Sequence, residues 1–170
     1  MRTRSLLLWI LILAIVAYAA QRTGKFDPRA PGSPVSGAAR IIDGDSLDVA
    51  GARIRIFGID APEARQQCRD AKDAPYACGR EATRALDRLI GGRTVTCKPV
   101  THDRYDRDVA TCEVVGRDLG DAMVRSGHAR DYSRHSRGRY ADAEREARAA
   151  KRGIWAGPFE DPQGWRKRER

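Results

Sequence analysis

Turn signals cut residues 38–115 into runs too short for helices, with one exception. Strand-like runs at 39–43, 46–50 and 53–59 are divided by "DGD" at 43–45 and "AGA" at 50–52. A loop follows, and residues 79–90 then set Ala82, Leu86, Leu89 and Ile90 on one helical face, with Gly91-Gly92 as the stop. Two more strands, near 93–99 and 108–115, flank a turn at 101–107. A short helix near 119–126 ends at Gly127, and an alanine-rich one near 138–152 ends at Gly153. Five strands with a helix between the third and fourth predict a small closed or partly open barrel of OB type. The expectation is thus an α+β domain: a five-stranded barrel with about three helices. No internal repeat is visible.

The ends of the chain read differently. Arg2 and Arg4 precede "SLLLWILILAIVAYAA", in which only Ser5 is polar. A basic start, a short apolar run and small residues before Ala20 describe a secretory signal peptide, with an uncleaved membrane anchor as the second reading. Both readings place the rest of the chain outside the cytoplasm, secreted, periplasmic or tethered. Residues 21–37 hold Pro28, Pro31, Pro34 and three glycines, the composition of a disordered linker. The folded domain is expected over 38–157, followed by a solvated basic tail at 158–170.

Export gives the four cysteines a meaning, since an even number in a small exported domain reads as disulfides. Cys97 and Cys112 lie equally far from the Arg104–Tyr105 junction, so a hairpin turning there opposes them. Opposed antiparallel residues sit about 4.5–5.5 Å apart at Cα, within reach of a disulfide. Cys68 and Cys78 are left to close a short loop, and free buried thiols are the alternative. No Cys-x-x-Cys and no histidine pair completes a zinc set. The formal charge is +9, and +7 without Arg2 and Arg4, a balance that attracts polyanions such as nucleic acid or anionic lipid.

Several polar residues exceed what strands need. Asp43 and Asp45 lie in the turn after the first strand, and Asp60 and Glu63 lie where the third strand stops at Pro62. Carboxylates gathered at strand ends suit a hard cation, which prefers oxygen ligands. Arg55 leads toward Asp60, and Arg107 follows the turn "HDRYDR". Two guanidiniums beside such carboxylates can hold a phosphodiester between a metal and arginine forks. Singly, "DGD" is an ordinary turn and "DAPE" an ordinary loop. Arg53 is read as a surface charge, and His102, His128 and His135 as surface residues without partner spacing. Tyr140, Trp155 and Trp165 are read as packing and tail anchors.

In this order, "IIDGDSLDV", "RIRIFGIDAPE", "CGREATRAL", "DRYDRDVA", "MVRSGHA" and "KRGIW" resemble the staphylococcal-nuclease-like (thermonuclease) family over about residues 38–156. The resemblance implies an OB-type barrel and calcium-dependent hydrolysis of DNA and RNA phosphodiesters. It implies Asp45, Asp60 and the Ala61 carbonyl as calcium ligands, with Asp43 behind them. Arg55 and Arg107 correspond to the phosphate clamp, and Glu63 to the carboxylate that activates or orients the attacking water. Tyr105 corresponds to the nucleotide site, and Tyr132 to a base-stacking position. The chain departs from the family pattern at Ser46 and Ala61, each in place of threonine, and at Asp106 in place of a glycine beside Arg107.

The expected partner is DNA or RNA, single- or double-stranded, with Ca2+ as cofactor. No obligate protein partner is evident, so a monomer is expected, with membrane attachment only through the N-terminal segment. The competing reading is a non-catalytic OB-type module binding nucleic acid or another polyanion at the cell envelope. A structural envelope protein is a third, resting on composition alone. Metal carboxylates argue against a module that only binds.

Overall fold

The computed structural model describes residues 32–169. The N-terminal apolar segment and residues 21–31 of the expected linker lie outside the described residues. The main sheet is built from β1 (Val35–Gly37), β2 (Ala39–Ile41), β3 (Ser46–Val49), β4 (Ala52–Ile56), β8 (Val95–His102) and β9 (Asp108–Val114). Their order is β1-β8-β9-β4-β3-β2, with β10 (Arg117–Asp118) added beside β9. Every pairing is antiparallel except β4 with β9, which is parallel. Two small ribbons complete the strands: β5 (Ile59–Asp60) with β11 (Arg130–Asp131), and β6 (Cys68–Arg69) with β7 (Pro75–Tyr76).

The described residues also form five α-helices: α1 (Cys78–Ile90), α2 (Leu119–Arg125), α3 (Ser133–Ser136), α4 (Ala141–Ala149) and α5 (Pro162–Arg168). A 3-10 turn spans Gly153–Ala156. Among the described residues no helix is long and apolar enough to cross a membrane.

The core explains the elements. Ile54 and Ile56 of β4 point inward with Leu47 and Val49 of β3, while Arg53 and Arg55 take the alternate face. Ala82, Ala85, Leu86 and Ile90 bury the inner face of α1 against them. Each buried Leu, Ile or Val side chain among these stabilises the fold by about 1.5–3 kcal/mol, and each alanine methyl by less. Gly91 ends α1 in the left-handed region at φ 56°, donating its N–H to the Asp87 carbonyl. Asp118 caps α2 by accepting the amides of Gly120 and Asp121.

The five expected strands correspond to β2, β3, β4, β8 and β9, and the three expected helices to α1, α2 and α4. The strand count of the sequence reading needs correction: the sheet is a curled half-barrel of seven strands rather than five, because β1 adds to β8 and β10 adds to β9. The domain also starts earlier than residue 38. Val35–Gly37, assigned to the linker, pairs with Cys97–Val95, and Ser36 Oγ lies 2.9 Å from Thr96 Oγ1. The alanine-rich helix starts at Ala141 rather than near 138, since Arg137 and Gly138 have φ of 54° and 81° and cannot join a helix. The tail, expected to be solvated, carries α5.

Both disulfides pair as expected. Cys97 faces Cys112 across β8 and β9 with Cα atoms 4.1 Å apart, and Cys68 joins Cys78 at 5.5 Å. The first bridge closes a 15-residue separation inside the core. Replacing Cys97 and Cys112 together by alanine is therefore expected to lower the urea unfolding free energy by about 3 kcal/mol. An unchanged denaturation midpoint would show that the bridge adds nothing.

Candidate active site

The "DGD" turn presents Asp45 inward. Ile42 and Asp43 donate their amides to the Ser46 carbonyl, and Asp45 donates its amide to Asp43 Oδ1 at 3.0 Å. Gly44 lies so close to Ala61 and Ala82 that a Cβ would sit 2.7 Å from each methyl. The Asp45 carboxylate is buried. Its Oδ1 accepts from Ser46 Oγ at 3.0 Å and Arg55 Nη1 at 2.6 Å, and its Oδ2 accepts the Ala61 amide at 3.0 Å. Burial, and then the adjacent Asp45 charge, push the Asp43 carboxyl up to about 6.

Arg55 links this turn to the end of β5. Beside its bond to Asp45, it donates Nη2 to Asp60 Oδ1 at 3.1 Å and to the Ile59 carbonyl at 3.4 Å. Asp60 is held by the β5–β11 ribbon, opposite Arg130. Burial lowers the Arg55 guanidinium, but the Asp45 and Asp60 charges outweigh it and hold it above its ordinary value. Burial raises the Asp60 carboxyl despite its arginine partners. The two expected ligand carboxylates are thus joined by one expected phosphate-binding arginine.

Register brings in Arg107. Ser46 opposes Arg55 in the β3–β4 ladder, and Arg55 opposes Val109 in the parallel β4–β9 pair. Arg107, just before β9, donates Nη1 to Ser46 Oγ at 3.2 Å and Nε to Asp103 Oδ2 at 2.9 Å. Its guanidinium carbon lies 5.5 Å from the Tyr105 ring centre. Arg53, read as a plain surface charge, instead reaches the Tyr105 carbonyl at 3.3 Å.

Asp106 stands at φ 61°, which explains why a glycine suits this position. Its carboxylate does not oppose Arg107 directly but accepts from His102 Nε2 at 3.1 Å, while His102 Nδ1 meets Asp108 at 3.2 Å. His102 is therefore half-buried and partnered rather than a bare surface residue. Asp108 first, then Asp106, hold its imidazole above the ordinary 6.5. A raised histidine adds stability fully below pH 6.5 and loses it as pH rises through the raised value. In an NMR titration, Asp106→Asn is expected to bring the His102 midpoint down while leaving it above 6.5, because Asp108 stays. A midpoint that does not move would contradict this pairing.

Glu63 lies in the loop between β5 and β6. Its amide donates to Gln66 Oε1 at 3.1 Å, its carbonyl accepts the Gln66 amide at 2.7 Å, and Gln66 is fully buried. The start of α1 presses on this loop, where a Cβ on Gly79 would come within 1.7 Å of the Glu63 carbonyl oxygen. The Glu63 carboxylate accepts from Arg166 Nη1 at 2.6 Å. Arg166 also meets both oxygens of Asp60, at 3.0 and 3.1 Å. Burial lowers its guanidinium, yet the bonds to Asp60 and Glu63 outweigh this and hold it raised. The sequence reading missed Arg166 by treating the tail as solvated. Asp161-Pro162, an N-cap followed by proline at N1, was the available signal for α5.

These groups share one cleft of about 1020 Å³. Asp43, Arg55, Glu63, Tyr105, Arg107 and Tyr132 line it, together with Arg53, Asp103, Arg104, Arg166 and Lys167. Six cationic side chains thus face three carboxylates there. Tyr132 carries its ring 4.6 Å from that of His135, and Tyr105 is about half exposed at the opening. Asp45 and Asp60 sit behind Arg55 and do not line the cleft. Among the described residues no group of three or more His, Cys, Asp or Glu side chains is arranged to hold a metal ion. The donors present, two buried carboxylates with backbone oxygen nearby, belong to the class that hard cations prefer.

Comparison with known proteins matches residues 53–157 to the family model described as staphylococcal nuclease homologue. The chain is 39% identical over 124 residues to the succinoglycan biosynthesis protein ExoI of Rhizobium meliloti (strain 1021), covering 72% of this chain and 65% of that protein. It is 38% identical over 120 residues to the probable staphylococcal-like nuclease CAN3 of Oryza sativa subsp. japonica, covering 69% of this chain and 29% of that protein. It is 33% identical over 138 residues to an uncharacterized endonuclease of Escherichia coli O157:H7, covering 76% and 83%. The chain therefore spans just under two thirds of the first of these relatives and less than a third of the second.

Proposed function

The chain belongs to the staphylococcal nuclease homologue family, and from that membership we propose that it hydrolyses phosphodiester bonds of DNA or RNA with the help of a calcium ion. The observation that carries this reading is the convergence of Arg55, Arg107 and Glu63 on one cationic cleft, with Asp45 and Asp60 bonded to Arg55 directly behind it.

In this reading Asp45, Asp60 and the Ala61 carbonyl hold the ion. When bound, calcium supplies Lewis-acid polarisation of a phosphate oxygen. The chain's own residues do the rest. Arg55 and Arg107 donate to the non-bridging oxygens on which charge builds, each about 10²–10³ in rate by comparison with other preorganised donors. Ser46 and Asp103 hold Arg107 in orientation before substrate arrives. Glu63 takes a proton from, or orients, the attacking water, and Gln66 braces its backbone. Tyr105 and Tyr132 offer aromatic faces to sugars and bases, a contact that tolerates any sequence. The excess of cationic side chains draws the polyanionic strand in.

Two disulfides in the folded domain support an oxidising compartment, in line with an exported protein.

The test is digestion of end-labelled single-stranded DNA and RNA by the purified full chain, with calcium and with chelator. Cleavage that needs calcium and falls in Glu63→Gln is the expected result. Strand binding without cleavage, indifferent to Glu63→Gln, would instead make the chain a binding module.

A further inference from the structure

Arg166 takes up bonding capacity that the proposed cation needs. Its Nη1 and Nη2 meet Asp60 Oδ1 and Oδ2 at 3.0 and 3.1 Å, and Nη1 also meets Glu63 Oε1 at 2.6 Å. Arg55 adds a second donor to Asp60 Oδ1. A guanidinium fork across both oxygens of a buried carboxylate and a cation bound to that carboxylate compete for the same lone pairs and the same charge. We propose that α5 is a built-in competitor for the divalent cation: Arg166 occupies Asp60 and Glu63 in the resting chain, and cation binding must withdraw it. The inference rests on the reading of Asp45 and Asp60 as cation ligands.

The way α5 is attached suits this role, because it is pinned at its base. Gln66 Nε2 donates to the Glu160 carbonyl at 2.7 Å, and Arg69 donates its amide to the Pro158 carbonyl at 3.0 Å. Phe159 packs edge-on against Trp155 in the small cluster around the Cys68–Cys78 bridge. Gly157 abuts the Arg69 and Asp70 carbonyls, where a Cβ would come within 2.4 Å. Asp161 caps the helix and pairs with Arg130. Farther along, the helix is seven residues long, too short to be stable by itself, so contacts of its side chains decide where its tip lies. Arg166 makes three ionic hydrogen bonds from there to Asp60 and Glu63, while Arg168 pairs within the tail, with Glu160. Opening the tip therefore breaks that fork and leaves the base in place.

If the seated state holds about nine molecules in ten, the apparent affinity for the cation is about tenfold weaker than that of the open state. The test is a calorimetric calcium titration of the full chain and of Arg166→Gln, Arg166→Lys and Asp60→Asn. Hydrogen exchange of the 160–169 peptide is followed alongside.

Arg166→Gln is expected to bind calcium roughly tenfold more tightly. Arg166→Lys, which keeps the charge but loses the fork, should fall between. Calcium should also speed exchange in the 160–169 peptide of the unmodified chain. Unchanged or weaker binding in Arg166→Gln, with exchange at 160–169 indifferent to calcium, overturns the proposal. If Asp60→Asn still abolishes binding in that case, the cation reading stands and only the competitor is lost. If no variant binds calcium, the cation reading itself fails, and the competitor with it.

Discussion

Arg55→Ala is expected to lower phosphodiester cleavage by about 10²–10³ and, unlike other cleft substitutions, to cost about 3 kcal/mol of stability. On the proposed function, the first loss follows from removing a donor that would face the developing phosphate charge. The second follows from the position of Arg55 between Asp45 and Asp60, both only 5% exposed at the side chain. Removing the guanidinium leaves two buried carboxylates facing each other with less than their share of positive charge. Arg107→Ala should lose similar activity but only about 1 kcal/mol, because its partner Asp103 is held by backbone amides as well. Comparing urea midpoints and turnover of the two variants checks this. Equal stability in Arg55→Ala and the unmodified chain would mean that the Asp45–Arg55–Asp60 bridge carries little energy. Added calcium should restore part of the lost stability in Arg55→Ala by replacing the missing charge.

Gly79→Ala is the second large effect. A methyl at this position would overlap the Glu63 carbonyl oxygen at 1.7 Å and the Ala64 carbonyl carbon at 3.0 Å, and both are backbone. Neither a rotamer change nor a flexible side-chain tip can relieve that overlap. Either α1 shifts off the loop, or the loop moves and takes Glu63 with it. The expected loss is about 3 kcal/mol or more, read as a fall in Tm of roughly 10 °C, with cleavage reduced beyond what the remaining folded fraction explains. Gly92→Ala is the comparison. Nothing lies within 4 Å of its would-be Cβ, so only the strain of its φ of 69° remains, about 1 kcal/mol. If the two variants melt together, close packing at Gly79 is not what positions Glu63.

Much of this architecture was legible because it is written in local chemistry. Period-two alternation in "RIRI" separates Ile54 and Ile56 from Arg53 and Arg55. Gly91 ends α1, and the symmetric placement of Cys97 and Cys112 about one turn anticipates their pairing. The glycine-favouring turn position of Asp106 was visible as a departure from the family pattern, but its contact was not. The expectation set its charge beside Arg107, whereas the fold turns it to His102. Val35–Gly37 was missed because "PVSG" between prolines and glycines carries linker composition, and only an available edge of β8 makes it a strand. His102 and Arg53 were read as plain surface because no spacing rule pairs His102 with Asp106 and Asp108, and because Arg53 meets the Tyr105 carbonyl only across the fold.

The amino-acid sequence by itself determined the order of the five long strands and three main helices, the cysteine pairs and the inventory Asp43, Asp45, Arg55, Asp60, Glu63 and Arg107, because spacing, capping and turn chemistry act over a few residues. Tertiary structure alone decided how that inventory is wired. The parallel β4–β9 pairing carries Arg107 to Ser46 across 61 positions. The ribbon of β5 with β11 turns Asp60 toward Arg55, and α5 delivers Arg166 to Asp60 across 106 positions. Polar contacts at such separations leave no periodic trace in the chain, since they form only after burial and register have brought the groups together in a medium that water no longer screens.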